Sequence, residues 1–340
     1  MRRIVLVFAI CLITAFCRSS LAQNAATLQI AFKTLGGDQL WTDLLVHGKW
    51  RIQRNELARH CRLLDPEDSR RATGDEQQCR AAFESLKRSA AIPALSGKAT
   101  ITLHGLGRTR DHMHSLGRYL EQNGNYTWIN VSYASTRRSL DEHAEAFSRV
   151  MEGLDGCSEI HIVAHSLGNL VVRRYLGEAS QPLPRWKCDP RLTRMVMIGP
   201  PNNGAELARV AADLLNDSQF VRLIAGPSAW QLARHWEEAQ KDLATPGFEF
   251  GIIAGGFGER GLNPLLDGND DLVVSVAETR LPGATDFRIV NCRHSGLLHD
   301  SQVQQYVLQF LQHGYFTSAV DRQPIPFVAA PEPGREPVER

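Results

Sequence analysis

From Lys98 onward, the sequence alternates between short apolar segments and longer segments whose apolar residues have helical spacing. The apolar segments predict strands: KATITL, YTWINVSY, EIHIVA, RMVMIG, FGIIAG and DFRIVNC. The intervening segments predict helices, among them DHMHSLGRYLEQNG, SLDEHAEAFSRVMEGL and LGNLVVRRYLGEA. Alternation at these lengths favours a mostly parallel sheet with helices on both faces. We therefore predict an α/β domain over residues 98–314.

Three segments depart from this alternation. Residues 202–248 predict a small helical insertion, which is either a lid over a substrate groove or an ordinary structural insertion. Residues 23–97 form an N-terminal extension of unknown role, with two short strands and one helix. Residues 315–340 are Pro-rich and charged, which predicts a disordered tail.

The first 22 residues have the features of a secretory signal peptide. Arg2 and Arg3 precede a short apolar run, and small residues flank Leu21 near a cleavage site after Ala22. The run is short for a membrane span. We therefore expect a secreted or periplasmic protein, with an uncleaved anchor as the alternative.

Charge and cysteine content bear on partners and compartment. Without residues 1–22 the chain has 35 basic and 37 acidic residues, a net charge of −2, so it has no strong electrostatic attraction for nucleic acid. An oxidising compartment favours disulfides, and we expect local bridges at Cys61–Cys79 and Cys157–Cys188. No spacing of Cys and His predicts a zinc site, and we expect neither a metal nor a cofactor.

Ser166 lies where a predicted strand turns sharply into a predicted helix. Such a turn lifts the serine hydroxyl above the end of the sheet, the geometry of a nucleophile elbow. The residues two places to either side must be small, and Ala164 and Gly168 meet this requirement. Ser166 is therefore the candidate nucleophile, and the alternative is an ordinary turn residue.

A serine nucleophile needs a histidine base, which in this architecture comes later in the chain. His294 follows the predicted strand DFRIVNC, at the end of a sheet where ligands bind in α/β proteins. His299 is the second candidate, whereas His235 and His313 fall on predicted helices. We therefore predict His294 as the base, with His104 and His165 near the site in structural roles.

The base in turn needs a carboxylate that orients its ring. The segment LLDGNDDLVVSV supplies Asp267, Asp270 and Asp271. Asp271 directly precedes an apolar run that would anchor it, so we predict Asp271 and keep Asp270 as the alternative.

Acyl transfer also requires N–H donors for the developing oxyanion. The loop HGLG follows the first strand of the domain, and its Leu106 N–H is one candidate. The N–H of Leu167, directly after the serine, is the other. Gly105 and Gly107 would let the loop approach the serine without a side-chain clash.

The segments LHGLGR, VAHSLGN, IGPPNNGAE, NDDLVVSV and CRHSGLLHD occur in this order. Over residues 98–314 the chain thereby resembles the α/β-hydrolase superfamily, and within it the secreted bacterial lipases and esterases. The resemblance implies ester hydrolysis through an acyl-serine intermediate without a metal or organic cofactor.

Several functions share this set of residues. The partner we expect is a small-molecule or lipid ester, with contact to a lipid surface as a further possibility. An amidase, thioesterase or deacylase acting on the cell envelope would use the same triad, and a binding protein could retain the fold without activity. The sequence does not indicate the oligomeric state.

Overall fold

A computed structural model of the chain describes residues 38–89, 92–214 and 218–327. The predicted signal segment lies outside these residues. The central sheet has six parallel strands. The strand order is β10-β9-β8-β7-β5-β6. The six strands are β5 (Gly97–Leu103), β6 (Thr127–Val131), β7 (Cys157–His165), β8 (Leu192–Ile198), β9 (Glu249–Gly255) and β10 (Asp286–Val290).

Nine α-helices lie in the described part of the chain, apart from short 3-10 helices. Their order in the chain is α1 (Glu76–Arg88), α2 (His114–Gly124), α3 (Leu140–Glu152), α4 (Leu167–Ala179), α5 (Glu206–Leu214), α6 (Ser218–Arg234), α7 (Trp236–Ala239), α8 (Val276–Thr279) and α9 (Ser301–His313), with a 3-10 helix at Arg110–Met113 before α2.

Two hydrophobic clusters cover the two faces of the central sheet. Adjacent strand residues point to opposite faces, and accordingly Ile162 lies in one cluster and Val163 in the other. Helices α3 and α4 pack on the first face through residues such as Phe147, whereas α2 and α9 pack on the second through residues such as Leu116 and Phe310. This arrangement confirms the predicted α/β fold class with helices on both faces.

Residues 41–74 form a second, antiparallel sheet of four strands. They are β1 (Trp41–His47), β2 (Trp50–Asn55), β3 (Cys61–Leu64) and β4 (Arg70–Gly74), paired in that order. Helix α1 packs on this sheet and begins at a capping box in which Asp75 and Gln78 each accept a backbone N–H. Every residue of β1 is buried, because β1 also contacts α3 and β6 of the central domain.

Residues 202–248 contain helices, as in the predicted insertion. Helix α6 has a kink at Gly226, where φ is 86° and Pro227 follows. Within the described ranges, no helix is both long enough and apolar enough to cross a membrane.

The predicted disordered tail requires a correction for residues 315–327. Phe316 and Ile325 are buried. The carboxylate of Asp286 accepts the Phe316 N–H at 2.8 Å and the Gln323 N–H at 2.9 Å. These contacts hold the segment on the central domain, and residues 328–340 lie outside the described part.

The expected disulfides are absent from the described residues, where all five cysteines are free thiols. Cys61 and Cys79 lie together in the core of the N-terminal unit, residues 38–88, which comprises the antiparallel sheet and α1. Burial raises the pKa of the Cys61 thiol to about 11, so this cysteine packs as a neutral apolar group.

Candidate active site

Ser166 lies in the single-residue turn between β7 and α4. Its φ of 52° and ψ of −124° are unusual for a residue with a side chain and cost about 1–3 kcal/mol. The turn is held by the Ser166 N–H, which donates to Ile198 O at 2.9 Å, and by Asn169, whose N–H donates to Ser166 O at 3.0 Å. A strained serine at the end of a central strand is the geometry of a nucleophile elbow.

The close approach of β5 to the start of α4 explains why Gly168, two residues after the serine, has no side chain. A Cβ at Gly168 would lie 2.9 Å from the carbonyl oxygens of both Leu103 and His104. Backbone atoms cannot withdraw from such a contact as a flexible side chain can. Glycine at this position therefore permits the helix to start directly behind Ser166.

His294 and Asp271 form a buried hydrogen-bonded pair. His294 Nδ1–H donates to Asp271 Oδ2 at 2.7 Å, and the His294 N–H donates to Asp271 O at 3.0 Å. The other carboxylate oxygen, Oδ1, accepts the N–H groups of Val273 at 3.0 Å and Val274 at 2.9 Å. Because Nδ1 carries the proton in this pair, Nε2 has the lone pair that a general base needs.

The alternative acid and base have other surroundings. The carboxylate of Asp270 accepts the N–H groups of Leu262 at 2.8 Å and Leu272 at 2.7 Å, so it organises its own loop. His299 is exposed, and its ring centroid lies 6.0 Å from that of His112. Of the candidate pairs, the structure brings Asp271 and His294 together.

The His294 ring is confined by two neighbours. The His165 ring centroid lies 4.6 Å away, and its Nε2–H donates to His294 O at 3.1 Å. At the end of β8, a Cβ at Gly199 would lie 3.0 Å from both Cε1 and Nδ1 of His294. Gly199 directly follows Ile198, the residue that accepts the Ser166 N–H, so the end of β8 lies next to both the serine and the histidine.

Our sequence analysis did not identify Gly199 as a site residue. The signal was its place directly after the predicted strand RMVMIG, where a glycine would permit a side chain from another strand end to approach.

The Ser166 hydroxyl donates to no residue that the structure describes, His294 included. Such hydrogen bonds are often formed only when substrate binds.

The two candidate oxyanion donors come from the loop after β5 and from the first residue of α4. A Cβ at Gly105 would be 3.0 Å from the Ser166 Cβ and 3.5 Å from its Oγ, so the loop backbone touches the serine. Within the described residues, neither the Leu106 N–H nor the Leu167 N–H has a protein acceptor. Both are therefore available to a substrate oxygen, and Leu167 adds the partial positive charge of the α4 N-terminus.

The histidines beside the candidate triad are buried and neutral. Burial lowers the pKa of His104 to about 4, and its Nδ1–H donates to Gly105 O at 2.9 Å. Burial also lowers the pKa of His165 well below its usual value, with the nearby His294 and His112 as further causes. These rings supply hydrogen bonds and packing rather than charge.

No protein-family model matches the sequence, and no curated protein matches it either. Solved structures with a similar fold include a mature lipase from Bacillus licheniformis, with 15% identity, a TM-score of 0.46, and coverage of 65% of this chain and 93% of that one. An esterase from Pyrococcus furiosus has 12% identity, a TM-score of 0.43, and coverage of 88% and 99%. A gene product of Listeria innocua has 17% identity, a TM-score of 0.44, and coverage of 64% and 95%. At these values the likenesses do not identify a function for this chain.

Proposed function

We propose that the chain is a serine hydrolase that cleaves carboxylic esters, lipid esters among them, through an acyl-serine intermediate. The observation that carries this proposal is the buried Asp271–His294 pair, with a 2.7 Å contact, beside a serine in a strained turn. A structural serine would not require φ of 52° at the end of a central strand.

In this mechanism Ser166 Oγ attacks the ester carbonyl while His294 Nε2 takes its proton. Asp271 holds the ring and stabilises the imidazolium that forms. The N–H groups of Leu106 and Leu167 donate to the oxyanion of the tetrahedral intermediate. His294 then protonates the leaving alcohol, and a water molecule that is activated by the same histidine hydrolyses the acyl-enzyme.

Exposed apolar side chains near the acid support an apolar substrate. Leu262, Leu265, Leu272 and Val273 are each 37–40% exposed, and all lie on the loop that carries Asp271. Exposed apolar patches are typical of surfaces that contact apolar ligands or membranes. We therefore favour lipid esters, and we propose that this loop is the part of the protein that meets a lipid surface.

The test is hydrolysis of p-nitrophenyl esters of increasing acyl length by the wild type and by Ser166→Ala. We expect activity in the wild type and its loss in the variant, together with labelling of Ser166 by a phosphonate. Labelling without ester hydrolysis would favour amide or thioester substrates, and a folded wild type with neither property would favour a binding protein.

We also propose export of the chain with removal of residues 1–22. The test is the N-terminal sequence of the protein from the periplasm or medium of a bacterial host. A new N-terminus at Gln23 supports the proposal, and a retained Met1 in a membrane fraction contradicts it.

A further inference from the structure

The loop that carries Leu106 is fastened by polar contacts on both sides of Gly107. The Gly107 N–H donates to Ser135 Oγ at 3.0 Å, and the Gly107 carbonyl accepts from Gln39 Nε2 at 2.8 Å. The Arg108 N–H donates to Gly105 O at 3.3 Å. Gln39 belongs to the N-terminal unit, so that unit binds the loop backbone directly, one residue after Leu106.

An ion pair provides a second connection between the N-terminal unit and this loop. Asp68 Oδ2 lies 2.5 Å from Arg110 Nη2, directly after the loop. Asp68 has φ of 59° in the turn between β3 and β4, a conformation that aspartate tolerates better than most residues. The turn is held by Asp65 Oδ1, which accepts the Ser69 N–H at 2.8 Å. The Asp68 carboxylate is therefore presented to Arg110 by a turn that is held by hydrogen bonds.

The support beneath Ser135 also comes from the N-terminal unit. The Ser132 N–H donates to the buried carboxylate of Asp43 at 2.7 Å, and the Ala134 N–H donates to Thr42 Oγ1 at 3.2 Å. Strand β1 thus fixes the segment from which Ser135 reaches Gly107.

We propose that the N-terminal unit, residues 38–88, is a positioning element of the catalytic centre that holds the Leu106 N–H in place for the oxyanion. This inference rests on the proposed function. An oxyanion donor must lie within about 2.7–3.1 Å of the developing charge, whereas surface loops are mobile unless they are tied down. Gln39, Asp68 and Ser135 supply those ties, and all three lie outside the proposed triad.

The first test compares two isosteric variants that each break one ion pair between the N-terminal unit and the central domain. Asp68→Asn removes the ion pair at the loop. The control Glu76→Gln removes the ion pair with Arg149 of α3, at 2.7 Å, together with the ion pair between Glu76 and Arg80 within α1, at 2.9 Å. Loss of an oxyanion donor costs about 10²–10³ in turnover, so a misplaced donor should cost part of that. We expect kcat about tenfold lower in Asp68→Asn than in Glu76→Gln, with KM unchanged and a thermal midpoint no lower than that of Glu76→Gln.

A double-mutant cycle tests whether Asp68 acts through Arg110. We expect the losses of kcat in Asp68→Asn and Arg110→Gln to be less than additive in the double variant, because the ion pair that they share can be lost only once. Gln39→Met keeps the length of the side chain but removes its donor, and we expect it to lower kcat to a similar extent.

Hydrogen exchange of the amides in residues 104–109 provides a readout that does not depend on activity. We expect exchange about tenfold faster in Asp68→Asn and unchanged in Glu76→Gln. Equal exchange and equal kcat in the two variants would overturn the positioning role while wild-type ester hydrolysis stands. An inactive wild type would overturn the proposed function, and faster exchange in Asp68→Asn alone would then still support control of the loop by the N-terminal unit.

Discussion

Replacement of Gly199 by alanine tests whether the end of β8 sets the position of the His294 ring. The added Cβ would lie 3.0 Å from both Cε1 and Nδ1 of His294. Ordinary contacts between carbon atoms are about 3.5–4.0 Å, so the ring must withdraw by about 0.5 Å. Because Asp271 holds Nδ1 on one side, that movement strains the pair or turns Nε2 away from Ser166.

The expected loss follows from this displacement. A misplacement of about 1 Å can cost about 10²-fold in rate, so about half of that displacement should lower kcat/KM about tenfold, or about 1.4 kcal/mol. Gly199 also has φ of 52°, which costs alanine about 1 kcal/mol in the free energy of unfolding. For a domain of this size, each kcal/mol lowers the thermal midpoint by about 2–4 °C.

Gly97→Ala is the matched control for this experiment. Gly97 has φ of 70°, and a Cβ there would meet no atom within 4 Å. It should therefore lower the thermal midpoint as much as Gly199→Ala does while kcat/KM for a p-nitrophenyl ester stays at the wild-type value. Wild-type kcat/KM in Gly199→Ala, or an equal loss of kcat/KM in Gly97→Ala, would refute the steric explanation.

Three further predictions concern the acids, the strained serine and the buried histidines. Asp271→Asn should lower kcat by a factor of about 10³–10⁴ with little change in the thermal midpoint. Asp270→Asn should mainly lower the free energy of unfolding, by about 1–3 kcal/mol. The opposite pattern in kinetics and thermal unfolding would exchange the roles of the two residues. Ser166→Gly should have a free energy of unfolding about 1 kcal/mol greater than that of Ser166→Ala, because only glycine adopts φ of 52° without strain. Equal thermal midpoints of the two variants in calorimetry would argue against strain at the elbow. Burial lowers the pKa of His104 and of His143 to about 4, whereas their pKa in the unfolded chain is about 6.5. Between these two pH values the unfolded chain binds protons at both histidines and the folded protein does not. The free energy of unfolding should therefore be greatest above pH 6.5 and fall as the pH decreases towards 4, by up to about 3 kcal/mol for each histidine, and a flat stability profile from pH 7 to 4 in urea unfolding would contradict this.

Local patterns predicted the parts of the fold that depend on neighbours in sequence. The helix expected to begin after Ser139 does so, and Ser139 and Glu142 form the expected capping box. The turn at Ser166 likewise follows from a strand, a small residue and a helix in immediate succession. Such features require only the residues within one or two turns of the chain.

Contacts between distant segments could not be predicted in this way. Strand β1 has the sequence WTDLLVH, and Thr42 and Asp43 are buried because β1 lies between its own sheet and the central domain. A buried strand of this kind lacks the alternation that identifies a half-exposed strand. The Pro-rich composition after Gly314 similarly suggested disorder, although Asp286 binds this segment from about thirty residues earlier in the chain.

The choice between Asp270 and Asp271 shows the same limit within two residues. Both are fully buried carboxylates, and both accept backbone N–H groups. Their directions diverge at a bend where Leu272 has φ of 85°, a value rare for leucine. No pattern of residue types indicates that bend, so the sequence favoured Asp271 only through the apolar run that follows it.

The neutral state of His165 has a chemical consequence for the neighbouring base. His165 Nε2–H donates to His294 O, and its Nδ1 is buried without a partner in the described residues, as expected of an uncharged ring. In the proposed mechanism, transfer of the Ser166 proton makes His294 a cation about 4.6 Å from the His165 ring, measured between centroids. A second cation at that distance, in a site screened from water, would oppose this step by several kcal/mol. A buried imidazole with a lowered pKa can thus hold the His294 backbone without repelling the positive charge that the proposed mechanism places on His294, which a lysine or arginine at position 165 could not do.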